Sequence, residues 1–209
     1  MPKVVHIIGN GDHAPLYRVK ERKGLKLTCN LPPFNVPDVY STTIVDFKMM
    51  RAITREEIAV PGNWIIGMRP KMWMEKNPGF YIKVANQVKD IYTVLPDYCP
   101  NYTDLSCGHF AAHYAANKFK PDVIHLYGFD SVFDFNLRSC SDFFMHSDRE
   151  NMNNNRLATN WRPVWTGIFK EFPKIEFVFH HVHDGYKMDI SENVRTEIYD
   201  PKEMKNIKE

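Results

Sequence analysis

Six short apolar runs, at 4–8, 25–29, 42–45, 63–68, 123–127 and 175–179, constrain the fold of this chain more than any other feature. They are continuous rather than alternating. An alternating strand buries one face, whereas a continuous one is buried on both. The runs end abruptly, in Gly9-Asn10-Gly11, in Asn30, in Asp46, in Arg69-Pro70, in Gly128-Phe129-Asp130 and in His180-His181. Segments of helical character lie between them. Residues 108–119 are alanine-rich, with Ser106 placed as a cap and Pro121 closing the segment. Residues 14–22 and 161–171 read as helices, and so do 80–94, where Ile82, Ala85, Val88 and Ile91 recur at three-residue spacing. This order predicts an α/β, Rossmann-like fold: a mostly parallel sheet with helices on both faces.

That architecture also says where to look for function, because ligands of open parallel sheets sit outside the carboxyl ends of the strands. With 209 residues, the chain suits one domain over residues 1–185. Residues 131–160 are polar and include Arg149, Asn153, Asn154, Asn155 and Arg156, which marks them as a lid-like insertion. Residues 186–209 are charged and weakly periodic, as expected of a surface tail or a homo-oligomer contact. A net charge of +2 argues against a protein built to coat nucleic acid. Cys29, Cys99, Cys107 and Cys140 form no CxxC pair and have no metal-site spacing, which suits reduced thiols and a cytoplasmic location. No run is long enough for a signal-peptide core or a membrane span.

Four constellations carry chemical possibilities. Gly9-Asn10-Gly11-Asp12 follows the first strand, where glycines let a ligand approach the backbone; the alternative is a plain tight turn, since Ala14 breaks the GxGxxG pattern. Ser106-Cys107-Gly108 opens the alanine-rich helix and either receives an anion or only caps the helix. His146, in the polar insertion, is either a general acid–base group or a solvated loop histidine. His180-His181-x-His183-Asp184 raises the question of a metal. Adjacent residues on a strand face opposite ways, so His180 and His181 cannot share an ion if the strand continues, whereas His181 and His183 can. A substrate contact is the preferred role. His113 and His125 read as packed histidines, and Trp64, Trp73 and Trp165 as packing residues. No GxSxG or GxxxxGK[ST] motif is present.

VVHIIGNGDHAPL, KLTCN, TTIVD and LSCGHFAAHYAANKFKPDVIHLYGFD, in that order over residues 3–133, resemble the core of the bacterial sialyltransferases of glycosyltransferase family 42. They are also similar to the related domain of the 6-hydroxymethylpterin diphosphokinase and flagellin-glycosylation proteins. The sialyltransferase resemblance implies a cytidine monophosphate sugar bound without a metal or other cofactor. It implies Asn10 and Gly11 beside the nucleotide phosphate, Asn30 near the sugar or phosphate, and Ser106, Cys107 and Gly108 on the nucleotide. It also implies a histidine in the insertion, best matched by His146, as the base that takes a proton from an acceptor hydroxyl. This chain departs from the family pattern at Asp12-His13, Cys107 and Asp46, and Asp12 adds negative charge where the family meets a phosphate.

The leading expectation is therefore a metal-independent, glycosyltransferase-like enzyme. Its partner is a nucleotide or nucleotide-sugar, held by Gly9, Asn10, Gly11, Asn30, Ser106, Cys107, Gly108 and Asp130, with His146 as base. The rivals are a Mg²⁺-dependent diphosphokinase or other nucleotide-processing enzyme using Asp12, Asp46 and Asp130 as oxygen ligands, and a non-catalytic nucleotide-binding module.

Overall fold

The computed structural model describes residues 1–32, 34–133 and 161–207. His146, Cys140 and nearly all of the lid-like insertion lie outside the described residues. One eight-stranded sheet organises the rest: β1 (Val4–Ile8), β2 (Leu25–Cys29), β3 (Ser41–Ile44), β4 (Trp64–Ile66), β5 (Val88–Ile91), β6 (Val123–Tyr127), β7 (Glu176–His181) and β8 (Val194–Ile198). The order is β5-β4-β3-β2-β1-β6-β7-β8, and every pairing is parallel. The chain winds outward from β1 to β5, returns, and winds the other way from β6. The topological switch point therefore lies between β1 and β6.

The helices are α1 (Phe47–Thr54), α2 (Met68–Lys76), α3 (Pro78–Val84), α4 (Cys107–Phe119), α5 (Arg162–Glu171) and α6 (Pro201–Asn206). α4 and α5 cover one face, where Ile7, Leu126, Phe177 and Phe179 meet Phe110, Ala111, Trp165 and Phe169. On the other face, α1, α2 and α3 pack over Ile44, Trp64 and Ile66, while the 3-10 helix Ala14–Val19 packs over Ile8 and Tyr127. The continuous apolar runs thus mark strands covered on both sides. Among the described residues, no helix is long and apolar enough to cross a membrane.

Three expectations are corrected. Residues 80–94 are not one helix. α3 stops at Val84, and β5 then pairs with β4 as the edge strand, with its side chains alternating between half-buried and exposed. Gln87 secures that turn: its carbonyl accepts from the Trp64 N–H, and its amide donates to Val60 and Gly62. Residues 186–209 are more than a surface tail. β8 extends the sheet beside β7, and Tyr199 packs into the core next to the 3-10 helix. Residues 14–19 form a 3-10 helix rather than an α-helix, so the first turn does not lead into a helix dipole of useful length.

One part of the second face is polar. His6, His125 and His180 lie close together there, with the His6 and His125 rings stacked at 4.9 Å. His125 Nδ1 and His180 Nε2 are 2.9 Å apart, and His180 Nδ1 lies 2.9 Å from the Tyr199 hydroxyl. That hydroxyl donates to Glu197 and accepts from Arg22. Burial, reinforced by Arg22 and neighbouring histidines, pushes His180 down to about 2 and His125 down to about 4. Both are therefore neutral links in a buried hydrogen-bonded chain.

Candidate functional site

At the switch point, the loops after β1 and β6 lie against each other. The Gly9 N–H donates to Tyr127 O at 2.8 Å, and the Gly11 N–H donates to Gly128 O at 3.1 Å. A β-carbon on Gly11 would lie 2.5 Å from Gly128 O and 2.6 Å from Asp130 Oδ2. Gly11 is thus required by the neighbouring loop. Gly9 is similarly confined by Gly128 O and Tyr127 O.

Beyond Gly11 the chain places His13 over the start of the 3-10 helix Asp130–Phe133. His13 Nδ1 is 2.8 Å from Asp130 Oδ1, and the His13 backbone N–H donates to Asp130 Oδ2 at 3.4 Å. His181, the last residue of β7, brings Nε2 to 3.5 Å from the same Oδ1. The His13 and His181 rings lie against each other, tilted by 30° with centroids 3.7 Å apart, and Phe133 stacks on His181 at 4.0 Å. Asp130 is 5% exposed. Burial alone would raise its pKa, but the hydrogen bonds and charges of His13 and His181 outweigh it and hold the carboxyl at about 2. Asp130 is therefore a carboxylate held between two imidazoles, and both its oxygens have protein partners.

The protons in this cluster are placed by its bonds. A carboxylate only accepts, so His13 Nδ1 carries a hydrogen. The His183 backbone N–H donates to His181 Nδ1 at 3.0 Å, which places a lone pair on that nitrogen. Burial lowers the His181 pKa, so the ring is neutral and its hydrogen is on Nε2, facing Asp130. His13, Asp130 and His181 bring their nitrogen and oxygen atoms within 4.8 Å of one another. A metal there would need a lone pair on His181 Nε2, and the His183 bond puts that lone pair on the other nitrogen. His180 and His181 do face opposite ways, as strand geometry requires. The partners of His181 are Asp130 and His13, together with the His183 backbone. They were not visible in the sequence, because β1, β6 and β7 bring them together over more than a hundred residues.

Two asparagines lie on the same edge. Asn10 and Asn30 each stand two residues past the register pair Ile8–Thr28 of neighbouring strands. Asn30 is 7% exposed and left-handed, with φ +53°. Both Oδ1 atoms are buried and accept no hydrogen bond among the described residues. Such a group costs about 1–3 kcal/mol unless something donates to it.

The α4 terminus is more self-contained than expected. The Ser106 hydroxyl accepts from the His109 N–H, and His109 Nδ1 in turn accepts from the Ser106 N–H at 3.2 Å, forming a reciprocal cap. His109 is fully buried, which pushes it down to about 3. The Cys107 side chain faces the sheet rather than a ligand: its thiol donates to Thr43 O at 3.0 Å, and burial raises its pKa well above the usual thiol value. A β-carbon on Gly108 would overlap the Phe129 ring, so this glycine too serves packing. Ser106→Ala is expected to cost about 1 kcal/mol, the worth of a cap. If capping is its whole role, thermal unfolding will record that loss while ligand-induced shifts stay the same size.

Asp46, also at a strand end, pairs with Arg69 at 2.8 Å. Cys29, Cys99 and Cys107 are free thiols. No protein-family model matches the chain, and no curated protein or solved structure matches it either. The fold and site define a class, a doubly wound parallel α/β protein with a histidine–aspartate pair at its switch point.

Proposed function

We propose that this chain binds a nucleotide-linked sugar at the carboxyl edge of its sheet and transfers the activated sugar to an acceptor hydroxyl. The observation that carries this reading is the pair of buried amide oxygens on Asn10 and Asn30. They are acceptors, so their complement is a donor: a sugar hydroxyl or a base amino group, and not a phosphate oxygen. They lie at the ends of adjacent strands beside the switch point, where parallel sheets hold nucleotides. The resemblance over residues 3–133 points to the same ligand class. A magnesium site built from Asp12, Asp46 and Asp130 is less favoured, because Asp46 is paired with Arg69 and Asp130 with two histidines.

A thermal-shift panel of nucleotides and nucleotide-sugars, each with and without Mg²⁺, tests the reading, since a ligand of the folded state raises the melting temperature by mass action. A shift with one nucleotide-sugar supports it and identifies the donor. A shift seen only with a nucleoside triphosphate and Mg²⁺ would replace it with the diphosphokinase. Asn30→Gly keeps the left-handed backbone and removes the amide. The variant is expected to unfold no earlier than the parent while binding its ligand at least about tenfold more weakly, a loss of about 1.4 kcal/mol.

A further inference from the structure

We infer that His13 is the proton acceptor of this site, held for the purpose by Asp130 and backed by His181. For its substrate the inference rests on the transferase reading, which supplies a hydroxyl-bearing acceptor; the proton arrangement itself does not depend on that reading. The resemblance places the base on His146, so His13 is a different assignment.

Three features carry it. First, Asp130 fixes the tautomer. With Nδ1–H donated to the carboxylate at 2.8 Å, the ring nitrogen left to take up a proton is Nε2, on the side of the ring away from Asp130. A buried carboxylate holding one imidazole nitrogen so that the other can act is the logic of a base and its orienting group. Second, the ring cannot tumble. His181 lies against it, the two rings tilted by 30° with centroids 3.7 Å apart, and is itself pinned by Phe133 and by the His183 N–H. A confined, hydrogen-bonded imidazole loses little entropy when it acts, which is what positioning requires. Third, the location is that of a reacting group. The His13 side chain is 14% exposed, whereas those of Asp130 and His181 are 5% and 1% exposed. His13 thus forms the outer member of the cluster, three residues beyond Asn10 at the switch point.

In the transfer step the acceptor O–H bond breaks and its proton passes to His13 Nε2. The oxygen electron pair forms the new bond to the anomeric carbon. The bond from that carbon to the nucleotide phosphate breaks, and its electron pair leaves on the phosphate oxygen. The resulting imidazolium is stabilised by the adjacent Asp130 carboxylate. Asp130 and His181 are positioning residues.

Long-range proton–nitrogen correlation on the full, unliganded chain reads the tautomers without any variant. His13 is expected to be protonated on Nδ1 and His181 on Nε2. Diethyl pyrocarbonate, with modification mapped by mass spectrometry, is expected to carbethoxylate His13 and leave His181 intact. Asp130→Asn should release the fixed His13 tautomer. With a nucleotide-sugar that shifts the melting temperature, His13→Gln is expected to lower nucleotide release by about 10²–10⁴-fold while the thermal shift persists. Protonation of His13 on Nε2, failure of the reagent to modify it, or turnover in His13→Gln equal to the parent would each overturn the inference. If no nucleotide-sugar binds, the transferase reading falls, and the two measurements on the unliganded chain still decide the proton arrangement.

Discussion

Lowering the pH from 7 to 5 is expected to remove about 4 kcal/mol of folding stability through His109 and His180 alone. Burial holds both imidazoles neutral in the folded chain, at about 3 and about 2, against 6.5 for the exposed group. Below 6.5 the unfolded chain takes up protons that the folded chain refuses. Stability is therefore complete above that pH and falls as the pH drops towards the folded values. Each group contributes about 1.4 kcal/mol per pH unit, or about 2 kcal/mol at pH 5. His125 acts in the same direction. Asp130 does not counter it, since the stability held by its depressed pKa is lost only at lower pH, from its usual value of 3.8 down to about 2. A total stability of about 5–15 kcal/mol makes the loss large. Urea denaturation at pH 7, 6 and 5 measures it, and identical midpoints at pH 7 and 5 would show that these histidines are charged or solvated when folded.

Gly11→Ala is expected to destabilise the chain by about 3 kcal/mol, at the upper end of what overpacking costs. The new β-carbon would meet Gly128 O, a backbone atom, and Asp130 Oδ2, the end of a side chain that His13 holds in place. The two loops must part, and the His13–Asp130 bond goes with them. The variant should thus lose both stability and the fixed His13 tautomer. Retention of parental stability would mean that the loops are not in contact, and the glycine would again be open to a ligand-facing role. By contrast, Gly62 and Gly79 have open space around them.

Much of the fold was legible because burial on both faces writes itself locally: a run such as VVHII or VIHLY has to be a covered strand. The elements missed were those whose residues are locally ambiguous. Val88–Ile91 continues a three-residue spacing begun in α3 and becomes a strand only because the β4 edge is there to pair with. Val194–Ile198 carries charged residues that suit an edge strand as well as a tail, and β7 decides between them. α1 starts after Asp46 with no capping bond from that residue, and Met49, Met50 and Ile53 hold it by packing.

The candidate site divides in the same way. Asn10, Asn30 and Asp130 could be found by looking just past the end of each strand, because a parallel sheet gathers those positions on one edge. His13 could not, since its position after GNGD carries no spacing signal and its role depends on a carboxylate 117 residues away. The glycines and Cys107 looked like ligand contacts because nothing in a sequence distinguishes a glycine kept for a substrate from one kept for a neighbouring loop. By itself, then, the sequence determined the layered parallel architecture and the edge where chemistry belongs, since both derive from local burial and strand polarity. Only the tertiary structure decided which side chains meet on that edge and where their protons lie, because hydrogen bonds and ring stacking depend on distances set by the whole sheet.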